Sequence, residues 1–361
     1  MPGRVMSAAP DAGPSRHTGN ARDALNIVLA GFGVAGQLHA SFFRTMRDRC
    51  RIAAIVDPVP LRRRQAAALY PGAMICRNID EALTSCKGHV VIDLCVPSCL
   101  YTTLLERALN IRIPQEVLIE KPLGWTPHEA ERLLSLCDNP EVRYLDTYSC
   151  STGISRLKTF LEKNPAPVSG LRVVFTKDRR HDSLQQRGFA DGNAPEAWLI
   201  EGPHLASIAL ALGGPIQSLR HAESFDMPFR DHAPLVAHGG GRAVLRHRNG
   251  IVTTLETHLF SPLNRRSVEV RLADRTACRL ELPPSGATAL CSTLTVEKDG
   301  RTILTETLPD SPMEACLRKA LCSHDPRRLD PRRGLLVSQT LHEIMEVCRQ
   351  PHDTAFHELT A

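Results

Sequence analysis

Aromatic residues and long apolar runs are scarce in this chain. Phe, Trp and Tyr together make up 4% of its 361 residues, which argues against the aromatic stacking platforms of proteins that bind single-stranded nucleic acid. No run reaches the roughly 18 apolar residues of a membrane span. Residues 1–23 are rich in Gly, Pro, Ser, Arg and Asp and lack the apolar core of a signal peptide. We therefore expect a disordered N-terminal extension, and neither a nucleic-acid nor a membrane partner.

Paired cysteines are also absent. The twelve cysteines include no Cys-x-x-Cys motif and follow no regular spacing, which argues against structural zinc and against a disulfide framework. We therefore expect no metal site, and a reducing, cytoplasmic environment. Charge of one sign is not concentrated either: the net charge is +5, from 44 basic and 39 acidic residues. The densest basic run, 62–64, is too short for a nucleic-acid footprint.

The sequence pattern changes near residue 148, in a chain long enough for two domains. Before that point, short aliphatic runs alternate with helical patterns, which indicates a parallel sheet buried on both faces. We interpret residues 24–148 as an α/β domain of the Rossmann type, in which ligands bind beyond the carboxyl ends of the strands. The predicted strands are 25–30, 52–56, 90–96, 117–119 and 142–148, and the predicted helices are 36–47, 61–69, 100–109 and 127–136.

Residues 149–361 show longer alternating patterns instead. Asn-Gly at 249–250 and Asp-Gly at 299–300 each separate two such runs, which is a strong signal of a β-hairpin. The pattern predicts an α+β domain built on a large, mostly antiparallel open sheet with helices on one face. The predicted hairpins are 243–259 and 294–308, further strands are 268–272 and 278–282, and the helices are 153–162, 203–212, 313–322 and 335–348.

The segment 31–36 matches the G-x-G-x-x-G pattern of a dinucleotide-binding loop. A predicted strand precedes it, a helical pattern follows it, and an acid, Asp57, ends the next strand. The first glycine allows a tight turn, the second lets the backbone approach a pyrophosphate, and the third lets the helix pack on the strand. The residues that we expect to contact the cofactor here are Gly31, Phe32, Gly33, Val34, Ala35 and Gly36.

Asp57 bears on the choice of cofactor. An acid at this position accepts hydrogen bonds from the adenosine ribose hydroxyls and repels a 2′-phosphate, which favours NAD. Arg62, Arg63 and Arg64 follow closely and would offset that repulsion by pairing with a phosphate. They are more simply interpreted as a solvated helix face. We predict NAD as the cofactor and keep NADP as the alternative.

Three features carry a resemblance to a known family. Glu-Lys-Pro at 120–122 follows the fourth predicted strand, Val-Pro-Ser at 96–98 follows the third, and His39 comes just after the glycine loop. In this combination the chain resembles, over nearly its whole length, the glucose-fructose oxidoreductase, inositol dehydrogenase and rhizopine catabolism (Gfo/Idh/MocA) family. The resemblance implies that Lys121 lies by the nicotinamide and the reacting carbon, and that Glu120 helps to hold the nicotinamide ribose. The further cofactor contacts expected at these strand ends are Pro97 and Ser98.

The second catalytic element of that family is a helix with the pattern Asp-x-x-x-His. His204 matches the histidine, but Ile200 stands at the aspartate position, where it can neither orient an imidazole nor exchange a proton. Glu201 is one residue further on, which on a continuous helix means a rotation of about 100°. If Gly-Pro at 202–203 breaks the helix, Glu201 would turn inward from the preceding loop. We therefore include Glu201 with Lys121 and His204 as a candidate catalytic residue.

The environment expected for His204 suits a proton acceptor. Pro203 fits the first turn of a helix, and the helix N-terminus disfavours the charged imidazolium. The alternative is a core histidine on an apolar helix face. Arg179 lies in a polar loop where the family often contacts its substrate, with simple solvent exposure as the alternative. The residues that we expect to contact substrate are Tyr148, Arg179, Trp198 and His204.

The resemblance implies an NAD(P)-dependent oxidoreductase that transfers hydride between nicotinamide and a secondary alcohol or ketone of a sugar, cyclitol or related polyhydroxylated molecule. Glu-Gly-Pro-His at 201–204 is also similar to the Gln-Gly-Pro-His of members acting on aromatic cis-dihydrodiols, so a dihydrodiol dehydrogenase is one alternative. A non-catalytic NAD(P)-binding sensor or co-regulator is another, which Ile200 keeps open. Because family members commonly associate through the open sheet, we expect a homodimer or homotetramer through strands 243–308.

Overall fold

Two β-sheets with helices around them make up the structure, a computed structural model that describes residues 24–136, 141–187, 194–284, 286, 290–323 and 329–350. The expected extension, 1–23, lies outside the described residues. The first sheet has six strands and the second has eight, which confirms the predicted fold class of a Rossmann sheet followed by an α+β region. Within the described ranges, no helix is long and apolar enough to cross a membrane.

The six-stranded sheet is parallel throughout, with the strand order β3-β2-β1-β4-β5-β6. The order reverses between β1 and β4, and in open α/β sheets ligands bind at such a reversal. The strands are β1 (Leu25–Ala30), β2 (Cys50–Val56), β3 (Met74–Cys76), β4 (Val90–Leu94), β5 (Glu116–Ile119) and β6 (Glu141–Tyr144). The helices between them are α1 (Val34–Phe43), α2 (Pro60–Leu69), α3 (Ile79–Ser85), α4 (Tyr101–Ile111) and α5 (Pro127–Ser135).

β3 and α3 are additional to the predicted elements. Three residues are too few to show a strand periodicity, so β3 carries no sequence signal of its own. α3 does carry one, because Asn78 accepts a hydrogen bond from the Glu81 backbone N–H at 3.1 Å. The Glu81 carboxylate in turn accepts one from the Arg77 N–H at 2.9 Å. A capping side chain, followed three residues later by an acid that binds the backbone just before the cap, marks a helix N-terminus.

The eight-stranded sheet has the order β14-β13-β12-β11-β7-β10-β9-β8 and is antiparallel except between β7 and β10. Its strands are β7 (Val168–Asp178), β8 (Ile216–Met227), β9 (Leu235–His247), β10 (Val252–His258), β11 (Phe260–Leu272), β12 (Thr276–Leu282), β13 (Cys291–Lys298) and β14 (Arg301–Pro309). The accompanying helices are α6 (Thr152–Lys163), α7 (Arg180–Leu184), α8 (Ala197–Ile200), α9 (Gly202–Gly213), α10 (Pro312–Cys322) and α11 (Pro331–Arg349).

Both predicted hairpins are confirmed, since β9 pairs with β10 and β13 with β14. The central strand β7 and the edge strand β8 are additional to the prediction. In β7 the core-facing side chains alternate as Leu171, Val173 and Phe175. That period of two is a strand signal, but Gly170 and Arg172 interrupt its apolar character, which is why the pattern is easily overlooked.

The two faces of the second sheet differ in chemistry. One face is covered by α6, α9 and α11 and forms a large apolar core. The other face carries rows of paired charges, with Arg172 donating to Glu256 at 2.7 Å and Arg265 to Glu281 at 2.8 Å. This charged face includes the strands through which we expected the chain to associate, and the homodimer or homotetramer stays a prediction.

The last strand of the first sheet ends earlier than predicted. β6 stops at Tyr144, and Tyr148 lies in a 3-10 helix rather than at a strand end. Asp146 supplies the reason, because its carboxylate accepts a hydrogen bond from Ser207 in α9 at 2.5 Å and pairs with Arg333 at 2.5 Å. These contacts pull the chain away from the direction of β6 and towards the second sheet.

α10 returns to the first sheet. Its residues Cys316, Leu317 and Ala320 are fully buried and pack with Ile27 of β1 and Val91 of β4. The chain that follows residue 148 therefore contributes to the core beneath the nucleotide-binding sheet. The predicted division into domains at 24–148 and 149–361 stays a prediction.

Trp198, which we expected to contact substrate, lies in the core instead. Its side chain is 0% exposed, and a Cβ placed on Gly241 would lie 2.7 Å from its ring. We predict that Trp198→Ala lowers the free energy of unfolding by about 3–5 kcal/mol, because a large buried ring is removed, and that Trp198→Phe costs less. Urea unfolding followed by far-UV circular dichroism measures both. Wild-type stability in Trp198→Ala would show that the ring is not a core element.

Candidate active site

The glycine loop between β1 and α1 has the shape that a dinucleotide needs. Gly31 has a φ of +94°, and a Cβ placed there would lie 2.4 Å from the Cys95 carbonyl oxygen. A Cβ on Gly36 would lie 2.0 Å from the Gly31 carbonyl oxygen. The first and third glycines are thus required by backbone packing. Gly33 faces open space, where the nearest atom to a Cβ is the Arg62 guanidinium at 3.9 Å, so this is the position at which a phosphate can approach the backbone.

The other loop residues contribute in different ways. Val34 begins α1 and its side chain is 72% exposed. Ala35 is partly exposed beside it. Phe32 is fully buried and packs edge-on against Tyr70 at 5.8 Å, so only its backbone faces the loop. The loop therefore fits a dinucleotide through backbone N–H groups at a helix N-terminus.

Asp57 is buried and holds the loop in place. Its Oδ2 accepts a hydrogen bond from the Phe32 N–H at 2.8 Å, and its Oδ1 accepts one from the Val59 N–H at 2.8 Å. The Arg62 guanidinium lies 3.6 Å from the carboxylate. An acid suited to ribose hydroxyls and an arginine suited to a phosphate therefore stand side by side, because Arg62 follows on the first turn of α2.

Glu120 and Lys121 directly follow β5, where the first sheet meets the second. The Glu120 Oε1 lies 3.1 Å from the His39 Nε2, and its Oε2 accepts a hydrogen bond from the Lys121 N–H at 3.1 Å. The Lys121 Nζ donates to the Ile200 carbonyl oxygen at 2.8 Å. Pro97 and Ser98 follow β4 at the same edge of the sheet. The expected cofactor contacts thus gather at the carboxyl ends of neighbouring strands.

Behind Glu120 lies a buried charge cluster that the sequence analysis missed. His39 is fully buried, and its Nδ1 lies 2.9 Å from the Asp93 Oδ2. Burial opposes the charged imidazolium, but Cys95 and Asp93 raise the pKa of His39 well above its ordinary value. Burial also raises the pKa of the Cys95 thiol to about 12, so at neutral pH Asp93 is the group whose charge acts. The charged His39 then donates to Asp93 and to Glu120 together.

The same cluster has the chemistry of a metal site. One ligand atom each from His39, Asp93 and Cys95 lies within 4.8 Å of the others, whereas the sequence predicted no metal. The His39 Nδ1 already faces Asp93 at hydrogen-bonding distance and has the Cys95 Sγ at 3.2 Å. We interpret the three side chains as a hydrogen-bonded cluster. The signal in the sequence is Asp93 itself, a lone acid within the aliphatic run of β4.

The helix break expected at 202–203 is present. α8 ends at Ile200, α9 begins at Gly202, and Glu201 lies between them with its side chain 4% exposed. Its carboxylate forms an ion pair with Lys177 and lies 3.9 Å from the Arg266 guanidinium. Burial alone would raise the pKa of Glu201, but Lys177 and Arg266 lower it far below its ordinary range. Glu201 is therefore an anion that is turned into the site.

His204 lies one turn into α9 with aromatic rings on its sides. The Tyr148 ring meets it edge-to-face at 5.0 Å between centroids, and the Phe175 ring lies at 6.2 Å. Burial and the nearby Lys121 ammonium lower the pKa of His204 well below its ordinary value, against the opposite effect of Glu201. The imidazole is consequently neutral at physiological pH and able to accept a proton.

Two cations complete the site and were missed in the sequence. Lys177 continues the inward face of β7 after Val173 and Phe175, and Arg266 precedes Val268 on the inward face of β11. Extending each alternating pattern by one step of two residues would have placed both side chains inward. The Arg266 Nη1 donates to the Tyr148 hydroxyl at 2.7 Å, so the expected substrate residue Tyr148 is brought to this group.

Tyr148 and Arg179 border the same pocket. Burial raises the pKa of Tyr148 to about 12, although Arg266 lowers it, so its hydroxyl stays protonated at neutral pH. Arg179 follows β7 and is partly buried, and its Nη2 donates to the Arg187 carbonyl oxygen at 2.8 Å. Burial lowers the pKa of Arg179, although the nearby Glu201 acts in the opposite direction. The structure thus brings together every expected substrate and catalytic residue except Trp198.

Known proteins with similar sequences and folds agree with this geometry. Residues 25–148 match a family model described as "Oxidoreductase family, NAD-binding Rossmann fold" (GFO_IDH_MocA). The resemblance to the Gfo/Idh/MocA family expected from the sequence is thus confirmed over these residues. An inositol 2-dehydrogenase of Arthrobacter sp. (strain FB24) is 33% identical over 119 residues, which are 31% of this chain and 34% of that protein. The chain thus matches about a third of the length of this curated relative.

Solved structures resemble the chain over nearly its whole length. The WlbA dehydrogenase of Bordetella pertussis, in complex with NADH and UDP-GlcNAcA, has a TM-score of 0.68 at 20% identity, covering 91% of this chain and 97% of that one. The KijD10 3-ketoreductase of Actinomadura kijaniata, in complex with TDP-benzene and NADP, has a TM-score of 0.72 at 15% identity, covering 90% and 97%. At these identities the likeness concerns the fold, which the chain shares with these structures beyond its matched residues. The matched family model is described as NAD-binding, which confirms the cofactor class expected from the sequence.

The Asp93–His39 pair generates a stability prediction. Since the pKa of His39 is raised in the folded state, its contribution is fully present below the unfolded value near 6.5 and is lost as the pH rises towards the folded pKa. Wild-type stability should therefore fall as the pH rises above about 6.5. Asp93→Asn should be less stable by about 3 kcal/mol at low pH, because a buried charge loses its partner, and should show a flatter pH profile.

Urea unfolding at several pH values measures both effects, and Asp48→Asn is a matched control because Asp48 is largely exposed. A wild-type pH slope in Asp93→Asn would show that Asp93 does not hold the His39 proton. Metal analysis of the purified protein tests the alternative that His39, Asp93 and Cys95 bind a metal. Metal that is bound by the wild type and absent from Asp93→Asn would show that the cluster is a metal site and not a hydrogen-bonded one.

Proposed function

We propose that the protein is an NAD(P)-dependent oxidoreductase that transfers hydride between nicotinamide and a secondary alcohol or ketone of a sugar, cyclitol or related polyhydroxylated molecule. One observation carries the proposal. Lys121 from the first sheet reaches the Ile200 carbonyl oxygen at 2.8 Å, at the helix break from which Glu201 and His204 enter the same pocket. A pure binding protein has no need to gather an ammonium, a carboxylate and a neutral imidazole at the nicotinamide end of its cofactor loop.

The proposed role of each residue in the pocket follows from its charge state. When bound, the nicotinamide accepts or donates the hydride. The neutral His204 takes the proton of the substrate hydroxyl as the carbonyl forms, and returns it in the reverse direction. The Lys121 ammonium, partly desolvated, stabilises negative charge that develops on the substrate oxygen. Glu201 offsets part of the surrounding positive charge, which would otherwise disfavour protonation of His204.

Glu120 and the glycine loop hold and orient the cofactor. The His39 proton keeps one Glu120 oxygen occupied, and the other accepts from the Lys121 N–H, so the Glu120 carboxylate is fixed in position. The glycine loop offers backbone N–H groups to the phosphates, and Asp57 faces the ribose. A non-catalytic sensor would also need Glu120, Asp57 and the glycine loop to bind the cofactor. It would have no use for the ammonium of Lys121 or the neutral imidazole of His204.

We predict that Lys121→Met lowers kcat/KM by roughly 10²–10⁴-fold, the usual range for loss of a positioned catalytic group, while the Kd for NADH changes only a few-fold. Nicotinamide absorbance with a panel of sugars, cyclitols and dihydrodiols measures turnover, and NADH fluorescence measures affinity. Lys298→Met is the matched control, because Lys298 forms an exposed pair with Asp274 on the second sheet.

Each result has a distinct meaning. Turnover that is lost in Lys121→Met and kept in Lys298→Met supports the oxidoreductase. Faster turnover of dihydrodiols than of sugars and cyclitols would favour the dihydrodiol dehydrogenase alternative. Tight NADH binding without turnover of any panel member would favour the sensor, and equal turnover in both lysine variants would remove Lys121 from the mechanism.

The choice between NAD and NADP generates a second prediction. We expect the wild type to bind NADH more tightly than NADPH, and Asp57→Asn to reverse or narrow that preference by about tenfold, because the amide still accepts from Phe32 N–H but no longer repels a 2′-phosphate. Fluorescence titration with each cofactor measures it. A wild-type preference for NADPH that disappears in Arg62→Leu would show instead that Arg62 sets the choice.

A further inference from the structure

We propose that the substrate is an acid: a polyhydroxylated molecule that carries a carboxylate, of the hexuronate or aldonate kind, rather than a neutral sugar or cyclitol. The inference rests on the proposed function, because it concerns the substrate of the same pocket. The observation behind it is an excess of positive charge around Glu201 among the described residues.

Four cations converge on Glu201. Lys177 forms an ion pair with its carboxylate, Arg266 lies 3.9 Å away, and Lys121 and Arg179 interact with it electrostatically. Lys177 and Arg266 are only 23% and 18% exposed at their side chains, and Glu201 is 4% exposed. Among the described residues, Glu120 also acts on Lys121 and Asp182 on Arg179, but each of these acids is shared with a further cation, so the carboxylates do not balance the four cations. Unbalanced charge in a partly desolvated pocket is unfavourable. An anion from outside the chain would restore the balance.

Neighbouring acids are already engaged elsewhere. Asp178 pairs with Arg180 at 2.5 Å, and Asp182 pairs with Arg187 at 2.7 Å. Glu120, the other acid beside Lys121, faces His39. Glu120 and Asp182 therefore offset the charge of Lys121 and Arg179 only in part, and among the described residues Glu201 is the carboxylate that all four cations share.

The phosphates of the cofactor do not supply the negative charge that the cations around Glu201 lack. The phosphates of a dinucleotide belong at the glycine loop of the first sheet. Lys177, Arg179 and Arg266 instead come from β7, its following loop and β11 of the second sheet. The Arg179 Nε is buried and has no hydrogen-bond partner among the residues that the structure describes, so a donor is left for a ligand. Guanidinium groups bind carboxylates strongly because their donors match the geometry of both oxygens.

An acidic substrate also improves the proposed proton transfer. His204 is surrounded by cations, of which Lys121, Arg266 and Lys177 each oppose its protonation. A carboxylate bound among them would offset their field and make His204 a stronger base when the substrate is present. Binding of the correct substrate would thus bring the proton acceptor closer to its working range, and a neutral polyol would not.

The test compares acids with neutral amides of the same shape. The NADH-loaded wild type is titrated with D-glucuronate and D-glucuronamide, and with D-gluconate and D-gluconamide, by isothermal titration calorimetry at constant ionic strength. We expect at least one acid to bind about tenfold or more tightly than its amide. Equal affinity within both pairs, or no binding by any of the four probes, would overturn the inference.

Variants assign the preference to the pocket. Lys177→Met should remove most of the acid preference without weakening the amide, and Lys177→Arg should restore it because the charge returns. Arg271→Gln is the matched control, since Arg271 is exposed and belongs to the same strand as Arg266. NADH affinity and urea unfolding show whether each variant is folded. An acid preference that survives in folded Lys177→Met, and that Arg271→Gln removes, would place the anion outside this pocket and contradict the proposal.

The two proposals fail in different ways. Turnover of neutral polyols with no preference for acids would leave the oxidoreductase in place and overturn the acidic substrate. Preferential binding of acids to the NADH-loaded protein, with no hydride transfer from any panel member, would support the charge preference and contradict the oxidoreductase.

Discussion

The hydrogen bond from the Lys121 Nζ to the Ile200 carbonyl oxygen joins the two sheets at the point where chemistry is expected. Lys121 is fixed by its place directly after β5, and Ile200 by its place at the end of α8. A free carbonyl exists there because the helix stops, so its last carbonyl groups have no intrahelical partner. The ammonium satisfies that carbonyl and is thereby held beside Glu201 and His204. Without the break in the helix, neither the acceptor for Lys121 nor the inward direction of Glu201 would exist.

Two charge networks share the Glu120–Lys121 dipeptide. On the side of the first sheet, Asp93 keeps His39 protonated and His39 faces Glu120. On the side of the second sheet, Lys121 belongs to the cations around Glu201. Because the dielectric response of a buried site is weak, each network fixes the charge state of its members more firmly than solvent would allow. The dipeptide is therefore held from both directions, which is how a residue following a short strand can be kept in one position.

The sequence predicted the first sheet better than the second, for physical reasons. Continuous aliphatic runs such as those of β1 and β4 have no other stable location than a doubly covered sheet. β7 alternates instead, and Arg172 and Ser169 on its solvent side dilute the apolar signal. The sequence pattern did not predict β7 or the first residues of β11, and Lys177 and Arg266 lie in these segments. Lys177 and Arg266 come together only when β7 pairs with β10 and with β11. These pairings join residues that are far apart in the sequence, so local patterns do not predict them.

The substitution of Ile200 for the aspartate of the family pattern illustrates the same limit. On a continuous helix, Glu201 would point about 100° away from the aspartate position, and the site would lack its acid. The break before Gly202 removes that constraint, since Glu201 takes a φ of −107° between two separate helices. The attraction of Lys177 and Arg266 then offsets the free-energy cost of burying its carboxylate. The acid is thus moved by one residue along the chain and kept in the pocket by cations of the second sheet. A pocket in which cations outweigh the neighbouring carboxylates of the described residues is, in turn, better suited to an anionic ligand than to a neutral one.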